Sequence, residues 1–146
     1  MISIFECRFS IDNMDEHEMK QRTKKFALRI LDLADALPHT RSGNVIAGQI
    51  VRSGASVAAN YRALCRAKSR ADFISKTSIV EEEADESCFW LELLIDRGLL
   101  GVRRVQPLLK QANELTAIFV ASRKTAVSRP ARRDPMENRK SKIENQ

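Results

Sequence analysis

The sequence predicts an all-α protein that folds as an antiparallel up-down-up-down four-helix bundle. Apolar residues recur at helical spacing in four long segments, and only a few residues separate one segment from the next. No stretch alternates polar and apolar residues as a half-buried strand does. The composition agrees, because Ala, Leu, Lys, Arg and Glu are plentiful, whereas 146 residues contain five glycines and four prolines. Short linkers make consecutive helices antiparallel neighbours.

The first predicted helix spans residues 15–37, with Asn13 and Glu16 as a capping pair and Pro38 as its stop. The second begins after Thr40 or Ser42 and runs to about residue 66. Their core-facing residues recur at intervals of three and four positions, and they are Phe26, Ile30, Leu33, Leu37, Ile46, Ile50, Val57, Tyr61 and Leu64.

The third predicted helix follows Ser69 as its N-cap, with Asp72 three residues later in a start that resembles a capping box. It continues to residue 97, where Gly98 supplies a natural stop. The fourth spans residues 103–126, and Pro107 is tolerated near its first turn. The predicted core-facing residues of these two helices are Phe73, Thr77, Val80, Ala84, Leu91, Leu94, Val105, Leu108, Ala112, Leu115 and Phe119.

The chain divides into three predicted parts: a flexible N-terminal extension over residues 1–13, the bundle over 14–127, and a basic disordered tail over 128–146. Met14 stands where a compact chain would begin, so it is an alternative start. The tail contains two prolines and dense charge but no apolar periodicity. Residues 123–146 carry eight basic and three acidic side chains, a net +5 of the overall +6, so the bundle itself is nearly neutral.

A line of polar residues runs along the second predicted helix, close to its core-facing side. At about 100° per residue, Gln49, Ser53, Ser56 and Asn60 fall within about 40° of one line, and Arg52 lies just beside it. Polar groups so near a core either find hydrogen-bond partners inside the protein or serve a partner outside it.

Two glutamates of the third helix are the expected partners of Arg52. Glu83 and Glu86 lie near the core-facing side of their own helix, within about one turn of each other. Arg52 is therefore expected to be at least half buried and to bind Glu83 first or Glu86 second, so that its removal destabilises the fold strongly. A buried network that fixes helix register explains these residues more simply than a ligand or subunit contact, but both interpretations stay open.

The sequence contains no catalytic, metal-binding or cofactor-binding motif. His17 and His39 have no second ligand at a suitable spacing, the five glycines are isolated, and the E-x-x-H pattern of di-iron bundles is absent. Three scattered cysteines without a C-x-x-C pair indicate reduced thiols. No apolar run reaches the roughly 18 to 20 residues that cross a bilayer, and no secretory signal opens the chain. These features predict a non-enzymatic, cytoplasmic protein without metal, cofactor or membrane contact.

Basic residues gather around the link between the second and third helices, and others lie on the first helix. Clustered cations at one end of a bundle are a phosphate-binding footprint, although ordinary surface helices also carry many Lys and Arg beside acids. Without a recognition-helix motif or stacking aromatics, no base-specific readout is expected. The predicted nucleic-acid contacts are Lys24, Lys25, Arg62, Arg66, Lys68, Arg70 and Lys76.

Four segments combine into a recognisable pattern: R-T-K-K-F-A-L-R-I (22–30), Q-I-V-R-S-G-A-S-V-A-A-N-Y (49–61), A-D-F-I-S-K (71–76) and E-A-D-E-S-C-F-W-L-E-L-L (83–94). The pattern resembles a family of bacterial four-helix-bundle proteins encoded within intervening sequences of 23S ribosomal RNA genes. A related branch resembles the accessory variability protein of diversity-generating retroelements. The residues that match the family's motif are Arg52, Ser53, Ser56, Asn60, Asp72, Phe73, Glu83, Glu86, Trp90 and Leu91.

The resemblance covers about residues 14–127. It implies a bundle without enzymatic activity that forms ring-like homo-oligomers, often pentamers, with a basic surface suited to nucleic acid, RNA in particular. The retroelement branch binds a reverse transcriptase, so such an enzyme is an implied partner. Where the family usually has a glutamate shortly after the asparagine, this chain has Ala63, which alters any network there.

Two functions follow from these observations. The leading prediction is a non-enzymatic, oligomeric, RNA-related nucleic-acid-binding bundle. The alternative is a structural or adaptor bundle that acts through protein–protein contacts, such as a reverse-transcriptase accessory protein.

Overall fold

The computed structural model describes residues 15–129, and within them it confirms the all-α prediction. Four helices follow one another: α1 (Glu16–Asp35), α2 (Arg41–Leu64), α3 (Arg70–Arg97) and α4 (Val102–Ser128). The predicted extension over residues 1–13, the alternative start at Met14 and all but the first two residues of the predicted tail lie outside the described residues. Helix α4 includes Ser128, so the bundle runs slightly further than predicted.

Hydrogen bonds between α3 and α4 give the direction of packing. The Arg70 side chain donates to the carbonyl of Ala126, Arg123 donates to the Glu81 carboxylate, and Cys88 Sγ lies 3.7 Å from Thr116 Oγ1. Residues later in α3 thus contact residues earlier in α4, so these two helices are antiparallel. Each helix packs mainly on its neighbour in sequence, and α1 also touches α4, which places α1 diagonally opposite α3.

Side-chain caps set where three of the helices begin. Thr40 accepts a hydrogen bond from the backbone N–H of Gly43 at 3.1 Å, which settles the choice between Thr40 and Ser42, and Ser69 accepts one from Asp72 at 3.0 Å, as predicted. The N-cap of α1 is Asp15, not Asn13, because the Asp15 carboxylate accepts from Glu18 N–H at 2.8 Å. Gly98 ends α3 in the left-handed conformation, with φ of 69°.

The core consists of the predicted apolar lines of all four helices. Phe26, Ile30, Ile50, Val57, Val80, Leu91, Leu94 and Leu115 are completely buried, and Phe119 nearly so. Two predicted core residues, Tyr61 and Phe73, are only partly buried. Tyr61 lies at the edge of the core, where its ring packs at 5.9 Å from that of Phe119. None of the helices over residues 15–129 is long and apolar enough to span a membrane.

Candidate functional site

A group of polar side chains joins α2 to α3 around Arg52. The guanidinium donates to Glu83 at 3.2 Å and to Glu86, and its Nε donates to the Gln49 amide oxygen at 3.3 Å. The indole N–H of Trp90 donates to the same Glu86 oxygen at 3.2 Å. The ion pair predicted between Arg52 and the two glutamates is therefore present, and we call these five residues the polar seam.

The polar seam lies at the surface, not inside the core. The side chain of Arg52 is 46% exposed and that of Glu83 is 20% exposed. Just over half of Arg52 is covered, as predicted, but the premise of a desolvated guanidinium is wrong. An ion pair in contact with water contributes little to stability. The strong destabilisation expected from removing Arg52 is accordingly replaced by a small one.

The rest of the predicted polar line is not connected to Arg52. Ser53 is completely buried, and its hydroxyl lies 3.0 Å from that of Ser87 on α3. Asn60 donates instead to the backbone carbonyl of Ser56 on its own helix, at 2.9 Å. The line is thus three separate arrangements: an exposed ion pair, a buried hydroxyl pair and a local side-chain-to-backbone bond.

The hydrogen bond from Arg52 lowers the pKa of Glu86 from its ordinary value; the bond from Trp90 adds to this effect and burial opposes it. Because the folded pKa lies below the unfolded one, ionised Glu86 stabilises the fold above the unfolded pKa of about 4.3, and this contribution is lost as the pH falls through the folded pKa. The difference in urea midpoint between wild type and Glu86→Gln should therefore shrink as the pH falls from about 5 through the folded pKa of Glu86. In an Arg52→Gln background the same comparison should show much less pH dependence. An unchanged pH dependence there would mean that Arg52 is not the cause.

Three of the predicted nucleic-acid contacts form an exposed group where α2 passes into α3. Arg62, Arg66 and Lys68 are exposed, and none of them has an ion pair within residues 15–129. We call these three residues the basic turn. Lys24 and Lys25 are also exposed, on α1, which packs against α2. They do not belong to the link between α2 and α3, so the basic turn contains only part of the predicted set.

Arg70 and Lys76 have structural roles that the sequence did not predict. Arg70 donates to the backbone carbonyls of Ala126 at 2.8 Å and Val127 at 2.9 Å, and also to that of Arg129. These carbonyls close the last turn of α4, where the helix has no intrahelical donors for them. Lys76 pairs at 2.6 Å with Asp72, whose pKa this hydrogen bond lowers. Neither cation is free for phosphate in the way the basic turn is.

Replacing Arg70 by glutamine should destabilise the fold by about 1 to 2 kcal/mol, because charge-assisted bonds to the last carbonyls of α4 are lost. The urea midpoint of the full chain measures the loss. Arg66→Gln is a matched control, since it removes a neighbouring exposed cation whose side chain has no ion pair in the described part of the chain, and it should leave the midpoint unchanged. Equal midpoints for the two variants would show that Arg70 does not cap α4.

Two ion pairs across other helix contacts have no signal in the sequence. Arg123 pairs with Glu81 at 2.6 Å, and Arg22 with Glu114 at 3.0 Å. The two residues of the first pair are 42 positions apart in sequence and those of the second are 92 apart, so no local pattern indicates either pair. Among residues 15–129, no group of three or more His, Cys, Asp or Glu side chains is placed to hold a metal ion.

Comparison with known proteins places this fold in a family. The model of the 23S rRNA-intervening sequence protein family matches residues 15–121. The chain belongs to this family. A solved structure from Bacteroides thetaiotaomicron, described as a protein with unknown function from the S23 ribosomal protein family, is 35% identical. The match covers 72% of this chain and 97% of that one, with a TM-score of 0.67. Among curated proteins, no significant match was found.

Proposed function

We propose that this protein is a non-enzymatic bundle that binds RNA through the basic turn and works in the cytoplasm as a homo-oligomer. The observation that carries the proposal is the exposure of Arg62, Arg66 and Lys68, whose charges are not compensated by an ion pair within residues 15–129. Such cations attract phosphate and gain affinity by releasing the counterions of the nucleic acid. The family name, which refers to 23S rRNA, is the reason for choosing RNA.

The basic turn is suited to backbone contacts and not to reading bases. Its three side chains are long and exposed, residues 62–68 contain no aromatic side chain, and the ring of the adjacent Tyr61 packs on Phe119. Contacts of this kind position a nucleic acid without sequence preference. Binding should therefore weaken steeply as salt is raised and differ little between RNA stem-loops of the same length.

Neutralising the basic turn should weaken RNA binding at least tenfold. The variant Arg62→Gln/Arg66→Gln/Lys68→Gln removes three charges, so the slope of log affinity against log salt should become less steep by about 2 to 3. Fluorescence anisotropy with a labelled RNA stem-loop, at salt concentrations between about 50 and 200 mM, measures both quantities. A DNA duplex of the same length, measured in parallel, tests the preference for RNA.

A matched control removes three exposed cations from the opposite end of the bundle: Arg97→Gln/Arg103→Gln/Arg104→Gln. Both variants have the same net charge, so the general field of the protein changes equally in each. The proposal requires the control to bind RNA much as the wild type does. Equal losses in the two variants, or no binding by the wild type at low salt, would contradict it.

The alternative is an adaptor or structural bundle, such as a reverse-transcriptase accessory protein, and the polar seam favours it. The Arg52 guanidinium and the Glu86 carboxylate are both partly exposed, so a second chain can reach them. This candidate expects RNA binding to be unaffected by the basic-turn variant. It also expects Arg52→Gln to change the assembly mass in sedimentation velocity. A wild-type protein that is monomeric at all concentrations would contradict self-association in both proposed functions.

A further inference from the structure

Helix α3 has an acidic stretch that the RNA-binding proposal leaves unused. Residues 79–96 contain seven carboxylates and no Lys, Arg or His. Three of the seven pair with arginines, since Glu81 binds Arg123 and both Glu83 and Glu86 bind Arg52. The remaining four are exposed, and none has an ion pair within residues 15–129: Glu82, Asp85, Glu92 and Asp96.

Apolar side chains are exposed among these carboxylates. Phe89 is 52% exposed. Its ring and that of Trp90 pack in a T-shaped arrangement, with the ring centroids 5.0 Å apart. Trp90 and Leu93 line a shallow groove of about 570 Å³ together with residues at the start of α2, among them Val45, which is 57% exposed, and the cation Arg41. Phe89 is not part of the groove lining but adjoins it through the ring of Trp90, so the four apolar residues form one patch across α2 and α3. A contiguous exposed apolar patch is typical of a docking site, unlike a single exposed leucine.

We propose that this acidic-aromatic face, formed by Val45, Phe89, Trp90, Leu93 and the four unpaired carboxylates, docks a basic amphipathic helix of a partner protein. The apolar side of such a helix covers the groove, and its Lys and Arg side chains meet the carboxylates. The sign of the charge selects the partner, because four carboxylates outweigh the one cation of the groove lining, Arg41, and so repel the phosphates of RNA and attract cations.

The length of the face fits a short helix. Asp85 precedes Phe89 by one helical turn, and Asp96 follows Leu93 by nearly one turn. Eleven residues of α3 separate the two carboxylates, a rise of about 16 Å, which a partner helix of about 11 residues spans. The apolar anchors Phe89 and Leu93 are one turn apart, so they offer two successive sites for anchors of the partner helix.

The face lies away from the basic turn, so the proposal does not rest on RNA binding. Val45 is near the start of α2 and Arg62 near its end, a separation of 17 residues or about 25 Å along the helix. Trp90 and Leu93 lie within the last eight residues of α3, whereas the basic turn lies at the other end of the helix, before its first residue. Both surfaces can be occupied at once.

The test uses the full chain and a fluorescein-labelled 18-residue peptide with leucines on one helical face and lysines elsewhere. Anisotropy measures binding, and Trp90, the single tryptophan of the chain, reports contact through a blue shift of its emission. We expect binding that is at least tenfold tighter than that of a scrambled peptide of the same composition or of the same peptide with glutamate for lysine. Phe89→Ala should weaken binding about tenfold.

Two further variants make the result specific. Leu28→Ala, a matched control because Leu28 is 53% exposed on α1, should bind the peptide as the wild type does. Asp85→Asn/Glu92→Gln/Asp96→Asn should weaken binding and reduce its salt dependence. Phe89→Ala and Leu28→Ala leave the net charge unchanged and should bind RNA as the wild type does, so failure here is distinguishable from failure of the basic-turn proposal.

Two outcomes would overturn the proposal. Equal binding of the scrambled peptide would show charge attraction without apolar docking. A change in assembly mass on Phe89→Ala, with unchanged peptide binding, would show that a second copy of the chain covers the face.

Discussion

Replacing Phe26 by alanine should destabilise the protein by about 4 kcal/mol, the largest effect we expect from a single core truncation. Phe26 is completely buried in α1 and is among the largest side chains of the core. Its loss removes the transfer free energy of the ring and leaves a cavity that the four helices cannot fully close. Since the free energy of unfolding of a domain of this size is about 5 to 15 kcal/mol, the substitution removes a large part of it.

Urea denaturation followed by circular dichroism measures this loss, with the slope of the transition checked for constancy. Leu28→Ala is the control, because Leu28 lies two residues away on the exposed side of the same helix. Its midpoint should stay within about 0.5 kcal/mol of wild type. A small effect of Phe26→Ala would show that α1 is not packed into the core.

Replacing Gly54 by valine should cost about 3 kcal/mol, because α1 packs against α2 at this glycine without room for a side chain. A methyl group on Gly54 would lie 2.9 Å from both Cγ1 and Cγ2 of Ile30. Ile30 is completely buried, so it has no free space into which to move. Overpacking of this kind costs about 1 to 3 kcal/mol, and occasionally more.

Gly48→Val tests the same substitution in the same helix without the contact. A side-chain carbon on Gly48 meets no atom within 4 Å, so only helix propensity changes, in favour of valine by a few tenths of a kcal/mol. The two variants should therefore differ by about 3 kcal/mol in urea denaturation. Equal midpoints would contradict the close approach of α1 and α2.

The helices could be predicted from the sequence because apolar spacing and caps are local signals. Ser69 and Thr40 each have a backbone N–H three residues later to bind, and both cap as expected. The partners of Arg52 could be predicted as well, since α2 and α3 are consecutive helices that a short turn brings together. The exposure of Arg52 could not be predicted, because a helical wheel gives the direction of a side chain but not the depth of the groove that it enters.

The structural role of Arg70 has no signature in the sequence. Its acceptors are backbone carbonyls 56 to 59 residues later, and any residue type can supply a carbonyl. From the sequence, a cation in a basic cluster is therefore predicted to bind phosphate, although Arg70 in fact caps α4. The exposed Phe89 was missed for a related reason, because an aromatic residue beside a core line is ordinarily buried and only the packed helices reveal which ring remains outside.

The most direct test of the central claim is to map where RNA touches the folded protein. Uniformly labelled protein titrated with an RNA stem-loop at low salt gives chemical-shift changes for each backbone amide. Binding through the basic turn predicts the largest changes over residues 62–70, with little change over residues 97–104 at the opposite end of the bundle. Largest changes over residues 97–104, or none over 62–70 when RNA is saturating, would contradict it.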